Sequence, residues 1–97
     1  MKLKKQNLEI SCDGKSICYS DKENNLIWRN TAPSLEKWKS LNRGSQTIES
    51  LEKGVYLWLN GISAEEVIIV FRPYKGLDFN LVYSALTGEL VRIHEAR

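Results

Sequence analysis

The sequence predicts a mainly β (α+β) fold: an antiparallel β-sandwich or partly open barrel of seven to eight strands, with one short α-helix between the third and fourth strands. Residues 67–71 (VIIVF) form an unbroken apolar run, which is typical of a strand buried on both faces. Most other apolar segments are short and separated by turn residues, which favours antiparallel connections. Only residues 33–41 have helical spacing, and one helix is too small to cover such a sheet. A single curved antiparallel sheet around the helix is the alternative.

Length and composition fit one small globular domain, residues 1–97. Hydrophobic residues make up 42% of the chain and charged residues 27%, which is ordinary for a folded domain. The 14 basic and 12 acidic side chains leave a net charge of +2, whereas a dedicated nucleic-acid binder usually carries a basic stripe. No apolar run follows the N-terminal lysines and none is about 20 residues long, so we expect a cytoplasmic protein that does not enter a membrane.

Strands are expected near the N-terminus at residues 8–12, 16–20 and 26–30. Asp13-Gly14, between the first two, is a strong signal for a two-residue hairpin turn. Such a turn pairs Ile10 with Ile17, and this register decides which side chains share a face of the hairpin.

The two cysteines, Cys12 and Cys18, fall on opposite faces of that hairpin, so they cannot form a disulfide with each other. Free, buried thiols in a reducing compartment are the expected state. A metal site needs three or four ligands, and two cysteines with the distant His94 do not supply them. We therefore expect no metal site and no cofactor.

The helix is expected between Pro33, which suits a first helical turn, and Gly44, which suits the exit. Leu35, Trp38 and Leu41 lie along one side at helical spacing. A helix this short is marginal alone, so Trp38 should hold it against the sheet.

Residues 47–51 fit either a strand or one helical turn. We favour the strand, because Glu52–Gly54 suits a three-residue hairpin loop with glycine in the left-handed region. This register would place Ile48 opposite Trp58. Residues 55–60 alternate as the next strand, so Tyr56 and Trp58 should share a face, either as a second core layer or as an exposed aromatic pair.

The last hairpin is expected to have a three-residue loop, Leu86–Gly88, with Gly88 left-handed, because a two-residue Thr87-Gly88 turn would scatter the apolar residues over both faces. This loop pairs Tyr83 with Val91 and Leu81 with Ile93, which gathers the apolar side chains on one face. The opposite face is then half polar and consists of Asn80, Val82, Ser84, Leu90, Arg92 and His94.

Catalytic groups are sparse. His94 is the single histidine, with Ser84 and Tyr83 near it in the predicted register but no third orienting group. Glu65 and Glu66 are adjacent and would point to opposite faces of a strand. We expect that the protein is not an enzyme and has no catalytic residues.

Two kinds of macromolecular partner remain. Arg72, Tyr74 and Lys75 place an aromatic ring between two cations, as in proteins that bind single-stranded nucleic acid. The alternative for this loop is an ordinary turn with the tyrosine packed on Pro73. A third possibility is a ligand-holding barrel with Tyr83 and the tryptophans lining a cavity.

Protein binding is the favoured function, because three tryptophans and four tyrosines are more than a core of this size needs, and such residues anchor interfaces. The predicted partner-binding residues are Arg72, Tyr74, Lys75, Tyr83, Arg92 and His94.

In size, cytoplasmic character and a β-rich fold without catalytic sets, the chain resembles the small immunity proteins that bacteria encode beside secreted toxins, such as those of contact-dependent growth inhibition. The resemblance implies neutralisation of a toxin by occlusion of its active site. Because the chain is +2, the toxin surface is expected to be acidic or mixed, with Arg72, Lys75, Arg92 or His94 as complementary charges.

Overall fold

The computed structural model describes residues 8–42, 44 and 46–96. This part of the chain forms two antiparallel sheets of three and four strands together with two short helices, which confirms the mainly β class and the antiparallel pairing. The strands are β1 (Leu8–Ile10), β2 (Ile17–Ser20), β3 (Leu26–Asn30), β4 (Val55–Ile62), β5 (Glu66–Arg72), β6 (Phe79–Ser84) and β7 (Leu90–Glu95). The helices, α1 (Leu35–Leu41) and α2 (Ile48–Glu52), follow β3 in the chain.

The three-stranded sheet has the order β1-β2-β3. Ile10 pairs with Ile17, as predicted, but the Ser11 N–H donates to the Ser16 carbonyl at 3.0 Å, so the loop is longer than the predicted two residues. Gly14 takes a φ of 72°, a conformation that costs glycine little because it has no Cβ. The Ser11 hydroxyl donates a 2.7 Å hydrogen bond to the Asp13 carboxylate and closes the turn.

Helix α1 is capped and docked by separate residues. The Ser34 side chain accepts a hydrogen bond from the Lys37 backbone N–H at 3.1 Å and so satisfies one free donor of the first turn. Trp38 is fully buried, as predicted, with its ring edge-on to Phe79 at 5.0 Å between centroids. Trp38, with Leu35 and Leu41 packed against the core beside it, holds a helix of only two turns in place.

The strand expected at residues 47–51 is wrong, because this segment is helix α2. The Thr47 side chain accepts from the Ser50 N–H and the Ser50 hydroxyl accepts from the Thr47 N–H, a reciprocal cap that favours the helix. Gly54 is not left-handed, so the hairpin loop predicted before it does not form. Ile48 consequently does not lie opposite Trp58.

The four-stranded sheet has the order β4-β5-β6-β7, so β5 is an inner strand. One face of this four-stranded sheet packs against side chains from the three-stranded sheet and from both helices, and together they form a single core cluster. The three-stranded sheet contributes Leu8, Ile17 and Trp28 to this cluster, and the two helices contribute Trp38 and Leu51. The Trp28 indole N–H donates to the Ala85 carbonyl at 2.9 Å and ties β3 to the turn after β6. Within residues 67–71 all side chains but that of Ile68 are buried, which largely confirms the prediction for this run.

The β6–β7 hairpin follows the prediction at its centre and departs from it at its end. Gly88 is left-handed with a φ of 76°, and Leu81 pairs with Ile93. A bulge after Val82 then pairs Tyr83 with Leu90 instead of Val91. The shift turns Leu90 into the core, so its predicted place on the half-polar face is wrong.

Candidate functional site

A bulge in β4 separates two aromatic side chains that strict alternation would place together. Tyr56 pairs with Phe71 and Trp58 pairs with the preceding residue of β5, Val70, which leaves Leu57 as an extra residue. Tyr56 therefore lies in the core, while the side chain of Trp58 is 47% exposed on the other side of the sheet. The prediction that these two residues share a face is wrong for this reason.

We call the side of the four-stranded sheet that faces away from the core the outer face. The pairing aligns two rows of residues across all four strands on this face. The first row is Trp58, Val70, Asn80 and His94; the second is Gly61, Ile68, Val82 and Arg92. Each row runs from apolar residues on β4 and β5 to polar or charged residues on β7.

Two polar links cross the outer face above the valines. The Asn60 side-chain amide on β4 donates to the Asn80 carbonyl oxygen on β6 at 2.8 Å, which bridges over β5. Arg92 on β7 donates to Glu66 on β5 at 2.7 Å, which bridges over β6. These spans shield the apolar residues between them, and Val70 and Val82 are buried.

Trp58 is not covered by these two hydrogen bonds and lies at the β4 edge of the outer face, where the residues are apolar. Next to it on the same side, Gly61 carries no side chain, and a Cβ at this position would have Ile68 as its nearest neighbour, at 3.5 Å. The exposed indole therefore has half-buried Ile68 and the backbone of Gly61 near it on the same face. A large aromatic beside apolar surface and a polar margin is the usual arrangement at the centre of a protein interface.

Two of the four charged residues predicted for binding, Arg72 and Arg92, are paired with carboxylates of the chain. Arg72 donates to both oxygens of Asp78, at 2.6 and 3.3 Å, and this pairing raises the pKa of the guanidinium. Arg92 donates to one oxygen of Glu66 at 2.7 Å and lowers the pKa of that carboxyl. His94 lies exposed on the outer face opposite Asn80. Arg92 and His94 thus border the same surface as Trp58.

Tyr74 and Lys75 lie in the exposed loop after β5. The ring of Tyr74 has two ammonium groups beside it, Lys53 at 5.3 Å and Lys75 at 5.5 Å from its centroid. The Tyr74 backbone N–H donates to the Ser50 carbonyl at 2.9 Å, which fixes the loop to α2. Lys75 adopts a φ of 61°, a left-handed conformation that disfavours any residue with a Cβ.

Tyr83, by contrast, is only 2% exposed and does not reach the surface. Its hydroxyl lies 2.5 Å from the hydroxyl of Tyr56, which in turn donates to the Thr31 carbonyl at 2.7 Å. Burial raises the pKa of both phenols. Tyr83 therefore belongs to the polar centre of the core, and its predicted role in partner contact is not supported by its position.

The two buried tryptophans pack against other rings. Trp28 stacks between Tyr19 at 5.3 Å and Tyr83 at 5.9 Å, and Trp38 packs on Phe79. Trp28 and Trp38 thus contact neighbouring rings, which weighs against the ligand-barrel hypothesis that the tryptophans line a cavity.

The cysteines are free, as expected, but Cys12 is exposed and Cys18 half-buried, so the prediction that both are buried is wrong. β1 ends at Ile10, which places Cys12 in the turn instead of in a strand. Among the described residues there is no group of three histidine, cysteine or acidic side chains placed to hold a metal ion.

Residues 8–42, 44 and 46–96 contain no helix that is long and apolar enough to cross a membrane. No protein family, curated protein or solved structure matches the chain.

Proposed function

We propose that this protein is a non-enzymatic protein-binding module whose contact surface is the outer face of the four-stranded sheet. In this proposal the two sheets pack face to face as a β-sandwich, with the core cluster between them and the outer face left for a partner. The bond from the Trp28 indole to the Ala85 carbonyl supports this packing because it joins β3 of one sheet to the turn that follows β6 of the other.

The single observation that carries the proposal is the exposure of Trp58. A bulge is needed to turn this indole outward, although the next aromatic along the strand, Tyr56, is buried. An exposed tryptophan contributes nothing to the core, whereas at an interface a buried tryptophan is among the residues that contribute most to binding. His94 and Arg92 supply polar groups at the β7 end of the same surface.

The most specific version of this function is a cytoplasmic immunity protein that neutralises a cognate bacterial toxin by covering its active site. The internal pairing of Arg72 and Arg92 supports a mixed partner surface over a strongly acidic one, because both arginines already have a carboxylate. Lys75 and His94 form no ion pair within the described residues. They are the complementary charges in this proposal.

The direct test is co-purification with the product of the gene adjacent to this one, followed by titration calorimetry. Trp58→Ala should weaken binding by at least about 30-fold, the effect of losing roughly 2 kcal/mol at an interface hot spot. Leu86→Ala is the matched control, because Leu86 is a large apolar residue that is 81% exposed but lies in the β6–β7 loop. Equal affinity of both variants, or an adjacent gene product that does not bind, would overturn the proposal.

A second candidate is binding of single-stranded nucleic acid at Tyr74. The two lysines beside its ring favour this function, since bases stack on exposed aromatic rings next to cations. The pairing of Arg72 with Asp78 weighs against it. Affinity for oligonucleotides that falls steeply with added salt would support this candidate, and salt-independent or absent binding would remove it.

A further inference from the structure

A groove of about 660 Å³ opens between the beginning of α1 and the exposed side of α2. Its apolar lining comes from Ala32 and Leu35 on one side and from Ile48 and Leu51 on the other. None of these residues belongs to the outer face of the four-stranded sheet, so the groove is a separate surface.

The helical conformation of α2 creates this groove. Ile48 and Leu51 are three residues apart, so both lie on the same side of the helix. Leu51 is buried and forms the floor, while Ile48 stands at the margin with 60% of its surface exposed. An isoleucine exposed beside an apolar floor leaves a place for a further apolar side chain to bind.

The rim of the groove carries more negative than positive charge. Glu36 and Glu52 are both exposed there, and neither forms an ion pair within the described part of the chain. The one cation in the lining, Lys15, directs its ammonium to the backbone carbonyl oxygens of Gly54 at 3.1 Å and Glu52 at 3.5 Å. Two glutamates against one lysine leave the lining with a net charge of −1.

We propose that this groove binds a short basic amphipathic segment of a protein partner. A large apolar side chain of the segment lies between Ile48 and Leu35 on the floor of Leu51. Lysine or arginine side chains on either side of it pair with Glu36 and Glu52. Peptide recognition of this kind combines an apolar anchor in a groove with charges at its margin.

The charge of the rim selects this occupant over the others. Nucleic acid, an anionic membrane or an acidic peptide would bring negative charge next to two carboxylates that form no ion pair with any residue the structure describes. A purely apolar ligand would leave the two carboxylates without compensation at the edge of a water-excluding contact.

The test is a nuclear magnetic resonance titration of the full chain with two synthetic peptides of equal length and equal leucine content. One peptide carries lysines at the polar positions and the other carries glutamates. The lysine peptide should shift the amide signals of Leu35, Ile48 and Glu52, and the glutamate peptide should shift them at least tenfold more weakly at equal concentration. The substitution Ile48→Asp changes an exposed side chain, so it should leave the fold intact. It should lower the affinity for the lysine peptide at least tenfold.

Charge reversal provides the decisive comparison. The double variant Glu36→Lys/Glu52→Lys should prefer the glutamate peptide. The matched double variant Glu23→Lys/Glu65→Lys makes the same change of net charge at exposed residues outside the groove, and it should retain the preference for the lysine peptide. Shifts spread over the whole surface, or a switch of preference in both double variants, would overturn the proposal. Shifts at the groove that depend on protein concentration without any peptide would assign it to a second copy of the chain and would also overturn it.

Discussion

Tyr56 and Trp58 are separated by one residue on β4, yet they lie on opposite faces of the sheet because Leu57 is an extra residue at a bulge. Tyr56 places its hydroxyl in the core, where it meets Thr31 and Tyr83. Trp58 is turned outward beside Val70 and the bare backbone of Gly61. The extra residue at the bulge thus places one aromatic side chain of the strand in the core and the other on the exposed face.

This division should be visible in stability. Tyr56→Phe removes a buried hydroxyl that bonds to the Thr31 carbonyl and to the Tyr83 hydroxyl. We expect the free energy of unfolding in urea to fall by about 1–3 kcal/mol, the usual effect of unpairing buried polar groups. Trp58→Ala, on the exposed side of the same strand, should change it by no more than about 0.5 kcal/mol. A larger loss for Trp58→Ala than for Tyr56→Phe would contradict the assignment of the two faces.

Gly88 should not tolerate a side chain. Its φ is 76°, and a Cβ there would lie 2.7 Å from the Trp28 ring. Gly88→Ala combines left-handed strain with overpacking, so we expect a loss of at least about 2 kcal/mol in the same urea experiment.

Gly61→Ala is the control for that substitution, because its Cβ would meet Ile68 at an ordinary 3.5 Å. It should change the free energy of unfolding by about 0.5 kcal/mol or less. Equal losses for the two alanine variants would show that the loop geometry at Gly88 is wrong.

Lys75 holds a conformation that glycine would occupy at lower cost. The left-handed region costs a residue with a Cβ about 1–2 kcal/mol, which the greater freedom of glycine in the unfolded chain offsets by about 0.4–1 kcal/mol. The free energy of unfolding of Lys75→Gly should therefore be about 0.5–1 kcal/mol higher than that of Lys75→Ala. Both variants lose the same charge, so the comparison reports on the backbone conformation. If the alanine variant is the more stable of the two, the φ of 61° at this position is not the solution conformation.

The local signals in the sequence predicted much of the fold. Asp13-Gly14 and Gly88 correctly marked where the first and last hairpins turn, since a left-handed glycine is a strong constraint on a hairpin, but both loops are longer than predicted. Trp38 at helical spacing gave the docked helix. Helix α2 was missed because Thr47 and Ser50 cap each other reciprocally, and a serine in the place of the usual glutamate is a weak signal.

The candidate site was harder to predict, because its critical feature is a bulge. No residue around Leu57 is a glycine or proline that would mark a break in alternation, so Tyr56 and Trp58 were placed together. Ion pairs such as Arg72 with Asp78 also depend on folded geometry, and sequence reasoning treated that arginine as free for a partner.

The buried phenols predict a specific loss of stability at alkaline pH. Burial raises the pKa of Tyr56 and Tyr83, so both stay protonated in the folded protein where an unfolded tyrosine, with a pKa of about 10, ionises. Their contribution to stability is complete below that pH and is lost as the pH rises above it.

Urea unfolding curves across the alkaline range test this pH dependence. The free energy of unfolding should decline above about pH 10 in the native protein and decline less steeply in Tyr83→Phe, which has one buried phenol fewer. Both proteins contain the same lysines, so the difference between their pH profiles of unfolding free energy reports on the buried tyrosine alone. Parallel pH profiles would contradict the raised pKa.

The most direct test of the outer face as a binding surface is iodide quenching of tryptophan fluorescence, alone and with the product of the adjacent gene. Trp28 and Trp38 are buried and Trp58 is exposed, so iodide should quench one component in the free protein and none in Trp58→Phe. Addition of the partner should protect that component. Identical quenching of the native protein and Trp58→Phe, or a Trp58 signal that stays fully accessible in a saturated complex, would contradict the account.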